Sequence, residues 1–122
     1  MLEAWFAHLP GVIVVTPATA EDTAGLLVQA IRSDDPVLFF DPKDLFGVPG
    51  EIADPIAPIP FGVARKVREG EAATVVSWSA AVPVVTKAAA ELAAEGIEID
   101  LLDLRTIWPL SLIHISEPTR PY

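Results

Sequence analysis

Residues 12–40 hold two short apolar runs separated by one amphipathic stretch, and few folds accommodate that order. Val12-Ile13-Val14-Val15 is rich in β-branched residues and has no polar alternation, which suits a strand covered on both faces. Thr16-Pro17 ends it. Thr19-Ala20-Glu21-Asp22 then opens a helix: the Thr19 hydroxyl can accept a free backbone N–H, and the acidic first turn faces the positive helix end. Leu26, Leu27, Ala30 and Ile31 give this helix an apolar stripe. Ser33-Asp34-Asp35-Pro36 stops it, because the residue before a proline avoids the α region. Val37-Leu38-Phe39-Phe40 follows as a second buried strand, and two strands joined by a helix make a right-handed βαβ unit with the strands parallel.

The pattern repeats after an interruption. Pro49, Pro55, Pro58 and Pro60 fall within residues 48–60, a density that forbids a helix interior or central strand and marks a semi-rigid linker. Beyond it, Phe61 to Arg68 predicts an edge strand or ribbon, although Arg65 interrupts its alternation. Ala73 to Trp78 predicts a buried strand, Val82 to Glu95 a helix with Pro83 in its first turn and Gly96 as its stop, and Ile97 to Leu104 another strand. No strand beyond Leu104 is expected. The class is therefore α/β twice over. Before the first strand, Leu2 to Leu9 reads as the last turns of a helix without an N-cap, as though the chain were cut on that side.

Charge and composition restrict partners more than chemistry. A formal net charge of −9 disfavours nucleic acid and anionic membranes. No apolar run approaches the roughly 20 residues that span a bilayer, and no secretory leader is expected. Without cysteine there is no disulfide, thiolate metal site or cysteine nucleophile, in keeping with a cytoplasmic protein. The two histidines are His8, which reads as a structural residue at a helix end, and His114. No glycine-rich dinucleotide fingerprint, phosphate loop or nucleophile elbow is present. Asp34-Asp35 reads as a turn, Glu21-Asp22 as a helix-start pair, and Trp5, Trp78 and Trp108 as core or interface anchors.

Three motifs carry a family resemblance: Leu-Glu-Ala-Trp-Phe-Ala-His-Leu-Pro-Gly-Val at 2–12, Ala-Ile-Arg-Ser-Asp-Asp-Pro-Val-Leu-Phe-Phe at 30–40, and Asp-Leu-Arg-Thr-Ile-Trp-Pro at 103–109. In order and spacing they resemble the β subunit of thiamine-diphosphate-dependent 2-oxo acid dehydrogenases of the pyruvate, branched-chain and acetoin type. The resemblance implies that residues 1–47 are the C-terminal part of a pyrimidine-binding domain, 48–60 a linker, and 61–109 the N-terminal part of a transketolase-type C-terminal domain, with mainly parallel sheets. Residues 110–122 resemble an in-frame translation of a sequencing adapter and are expected to carry no function.

The same resemblance implies an α subunit, a second β subunit and a lipoyl acyltransferase as partners. It implies thiamine diphosphate with magnesium between the subunits, and structural potassium. The family's catalytic glutamate and its His-Ser-Gln stretch would precede Met1, so no catalytic or thiamine-binding residue is assigned and the chain alone is expected to be inactive. Potassium carries over to Ala30, Ile31, Ser33 and Asp35, largely through backbone carbonyls, with Ser33 and Asp35 departing from the family's usual Asp and Asn. Two other readings remain: another transketolase-like enzyme such as a deoxyxylulose-phosphate synthase, and a stand-alone α/β interaction module.

Overall fold

The computed structural model describes residues 2–110; the adapter-like stretch beyond Leu110, with His114, lies outside them. A short helix α1 (Glu3–Phe6) leads into β1 (Ile13–Val15), α2 (Ala20–Arg32) and β2 (Val37–Phe39). Thr19 caps α2: its hydroxyl oxygen accepts from the Asp22 N–H at 3.1 Å and donates to the Asp22 carboxylate at 2.6 Å. β1 and β2 pair in parallel, Ile13 opposite Val37 and Val15 opposite Phe39, as a strand–helix–strand unit requires. Val14, Val15 and Leu26 are fully buried, the two valines on opposite faces of β1.

The helix is covered over a narrower arc than its sequence suggests. Leu27 and Ile31 are exposed, the latter at 76 %, so the expected four-residue stripe is only partly buried. The covering element is the linker: the Ile59 N–H donates to the Gly25 carbonyl at 3.1 Å, so the packing centres on Gly25 and Leu26. A 3₁₀ turn (Lys43–Leu45) follows β2, and residues 48–60 run without helix or strand.

The second sheet contains β3 (Arg65–Arg68), β4 (Ala73–Ser77) and β5 (Ile99–Asp103), with α3 (Ala81–Ala94) connecting β4 to β5. The strand order is β3-β5-β4, so every residue of the central strand β5 is buried. β4 is an edge strand, and Ala73, Thr74 and Val76 are exposed, contrary to the buried strand expected from its apolar run. β4 and β5 are parallel and β3 and β5 antiparallel. Val82 and Ala89 bury one side of α3, and Gly96 closes it at φ +83°, the left-handed conformation common one residue past a helix end. None of the three tryptophans is buried, so they are not core anchors.

One element was not foreseen. Contrary to the expectation that no strand follows Leu104, β6 (Thr106–Trp108) does, and it joins the first sheet rather than the second. It pairs antiparallel with β1, Val15 opposite Thr106, giving the order β2-β1-β6. Both sheets are consequently mixed rather than mainly parallel. Only Leu104 and Arg105 separate β5 from β6, so the chain passes from one sheet to the other in a single corner.

Candidate functional site

In open α/β sheets, ligand sites lie outside the carboxyl ends of parallel strands. That end of the first sheet opens here into a cleft of about 740 Å³. One wall is Pro17 to Glu21 with Thr23 and Ala24, where β1 passes into α2. The opposite wall comes from Leu45 to Ile52, and Arg65 of β3 and Pro83 of α3 close it. Glu21, Asp41 and Glu51 line its mouth, and all three are exposed.

Beneath this cleft lie two buried carboxylates and two arginines. Asp22, 1 % exposed, takes the Arg65 guanidinium on Oδ2 and the Arg105 guanidinium on Oδ1, each at 3.4 Å. Asp103, fully buried in β5, accepts from Arg65 at 3.1 Å and from the Arg105 backbone N–H at 3.2 Å. Burial pushes the Asp103 carboxyl above its ordinary pKa and the neighbouring Asp22 charge pushes the same way; Arg65 and the Arg105 N–H pull it back without prevailing. With two carboxylates facing two guanidiniums, the group has no surplus charge with which to hold an ion. No histidine or cysteine lines the cleft, and its carboxylates, Glu21, Asp41 and Glu51, are the exposed ones at its mouth.

The four residues assigned to potassium sit elsewhere, at the opposite end of α2. Ala30 and Ile31 occupy its last turn; Ser33 is the C-cap, with its N–H donating to the Ala30 carbonyl at 3.2 Å. The Asp35 N–H donates to the Ser33 side-chain oxygen at 3.2 Å rather than back to the helix, leaving carbonyl oxygens of the last turn available to an outside partner. Asp34 and Asp35 are exposed. The donor set is all oxygen, which suits a hard monovalent cation. Among the described residues no cluster of three His, Cys, Asp or Glu side chains could hold a metal ion. His8 is exposed just past the end of α1 and does not line the cleft.

Comparison with known proteins agrees with this architecture. The family described as the transketolase pyrimidine binding domain matches residues 1–49, and that described as the transketolase C-terminal domain matches residues 62–120. The second match thus runs across the adapter-like segment. Each half of the chain matches one transketolase-type domain. It is 46% identical over 117 residues to the acetoin:2,6-dichlorophenolindophenol oxidoreductase subunit beta of Cupriavidus necator, covering 96% of this chain and 35% of that protein. It is 43% identical to the pyruvate dehydrogenase E1 component subunit beta of Rhizobium meliloti, over 96% of this chain and 26% of that protein. The chain therefore spans about a third of the length of the curated relatives it matches. Among solved structures, a split-gene transketolase crystallised as an inactive β4 tetramer superposes with a TM-score of 0.71 at 25% identity, covering 88% of this chain and 35% of that one.

Sequence reasoning missed Asp22, Arg65, Asp103 and Arg105 as a group. Arg65 did leave a trace, as the charge that breaks the alternation of β3.

Proposed function

We propose that this chain is part of the β subunit of the decarboxylating component of a 2-oxo acid dehydrogenase, in which it supplies the junction between the pyrimidine-binding and C-terminal domains. The observation that carries the reading is alignment across both halves of the chain with the acetoin oxidoreductase and pyruvate dehydrogenase β subunits, 46% and 43% identical over 96% of it. The proposed domain limits are residues 1–47 and 61–109, with 48–60 between. The proposed compartment is the cytoplasm, and the proposed partners are an α subunit, a second β subunit and a lipoyl acyltransferase.

Thiamine diphosphate, held with magnesium in the assembled enzyme, would supply the carbon nucleophile for decarboxylation. This chain's own part would be to bound one side of the site with Pro17 to Glu21, Leu45 to Ile52 and Arg65. Potassium would be held by the carbonyls of Ala30 and Ile31 and by Ser33 and Asp35, tying the end of α2 to the turn before β2.

The test is an assembly of the α subunit with a β subunit carrying these residues, assayed on pyruvate, branched-chain 2-oxo acids, acetoin and sugar phosphates. Turnover of a 2-oxo acid or acetoin, with none from the 122-residue chain alone, is the expected result. Activity on sugar phosphates only would overturn it. In the same assembly, replacing potassium by tetramethylammonium lowers the melting temperature, and Asp35→Ala lowers it in potassium. Unchanged melting in both cases would leave Ser33 to Pro36 an ordinary turn.

A further inference from the structure

Arg105 has a backbone conformation that its residue type does not explain. Its φ is +56°, in the left-handed region where a Cβ is unfavourable and glycine or asparagine is usual. A residue held there is over-determined by its surroundings, and such strain commonly marks a residue with a task.

Five hydrogen bonds to four residues hold it, one within the corner and four reaching out of it. The Asp103 carboxylate accepts its N–H at 3.2 Å, fixing the turn. Its carbonyl accepts from the Thr16 N–H at 2.8 Å, at the end of β1. Its guanidinium donates through Nε and Nη2 to the Val63 carbonyl, at 3.2 and 2.9 Å, and through Nη1 to Asp22 at 3.4 Å. One residue therefore bonds the first sheet, the approach to β3 and the cap of α2. Arg65 repeats the link from a neighbouring strand, bridging Asp22 of the first unit to Asp103 of the second.

Asp22 is the point on which both arginines converge, and it is already fixed by Thr19. Its neighbours Thr19, Ala20 and Glu21 form the wall of the cleft that faces Arg65. A grip on Asp22 is therefore a grip on that wall. A carboxylate buried this deeply is costly unless paired, so the paired arrangement has one favoured geometry where an apolar contact could slide.

We propose that Arg105 is a positioning residue, gripping the N-terminal cap of α2 through Asp22 and thereby holding the second sheet at one fixed distance across the cleft. The role is independent of the reaction the cleft serves. Lysine would keep the charge but not the fork that reaches Val63 and Asp22 together.

The absence of native cysteine allows a direct test. Lys43→Cys and Lys87→Cys place exposed thiols on the two units, and spin labels there report the distance between them. Labelled chain diluted in unlabelled chain restricts the signal to pairs within one molecule. The parent should give a single narrow distance distribution. Arg105→Gln and Asp22→Asn should each lose that narrow peak while circular dichroism retains helix and strand. A role confined to capping α2 would leave the distance unchanged in Asp22→Asn and accelerate hydrogen exchange only in the first turn of the helix. A narrow distribution in both variants, a broad one in the parent, or complete unfolding by both substitutions would each overturn the proposal.

Discussion

Single residues in this chain are constrained chiefly by what approaches their backbone. Gly70 lies where β3 turns toward β4, and a Cβ there would overlap the backbone of Glu98 and Ile99 at the start of β5. Backbone cannot rotate aside as a side chain can. Gly70→Ala should therefore cost at least the roughly 1–3 kcal/mol typical of overpacking, read as a lower urea midpoint. Asp103 is constrained by charge instead. Its pKa is raised in the folded chain, so between its ordinary value of 3.8 and the raised one the folded state keeps a proton that the unfolded state has lost. Stability from this group is full below that window and falls as pH rises through it. Urea midpoints measured from pH 3 upward should show this fall in the parent and its absence in Asp103→Asn. An identical slope in both proteins would locate the titration elsewhere.

Elements were legible where local chemistry decides them. Thr19 and the acids after it announce the start of α2, and Gly96 the end of α3, because caps are short-range bonds written in adjacent residues. Thr19→Ala should lower stability by about 1–2 kcal/mol, since the hydroxyl both caps the helix and holds the Asp22 carboxylate. Thr19→Ser keeps both bonds and should melt close to the parent, with hydrogen exchange at the Asp22 amide as the local readout. Elements were illegible where distant partners decide them. β6 has three residues followed by Pro109, too few to show a period, and exists because β1 has a free edge nearly a hundred residues earlier in the chain. The apolar run of β4 signalled a strand but not its place at a sheet edge, which depends on β5 taking the centre. The candidate site divided in the same way. The resemblance pointed to the turn after α2 through contiguous residues, whereas the Asp22–Arg105 pair joins positions 83 apart in sequence and only folding brings it together.

At the scale of the whole molecule, the chain leaves much apolar surface in water. Mean hydropathy is +0.45, and Trp5, Ile31 and Val84 are 74 %, 76 % and 69 % exposed. Exposed apolar residues scattered singly are ordinary, but here they coincide with open backbone. In the order β3-β5-β4 the outer edge of β4 has no partner among the described residues, and Val76 on that strand is 45 % exposed. An edge strand with apolar side chains and no charge of its own is a template for pairing with another chain. β3, at the other edge, is protected by Arg65, Lys66 and Arg68. Association should therefore proceed through β4. Sedimentation velocity on the isolated chain should show a rising mean mass with concentration, and Val76→Lys, which puts a charge on that edge without touching the core, should move the onset to higher concentration. The matching substitution on the opposite side of the second sheet, Val67→Lys on β3, should leave association as it was. Equal suppression by both substitutions would make general surface charge, rather than the β4 edge, the cause, and a monomer at every concentration would remove the edge as a hazard altogether.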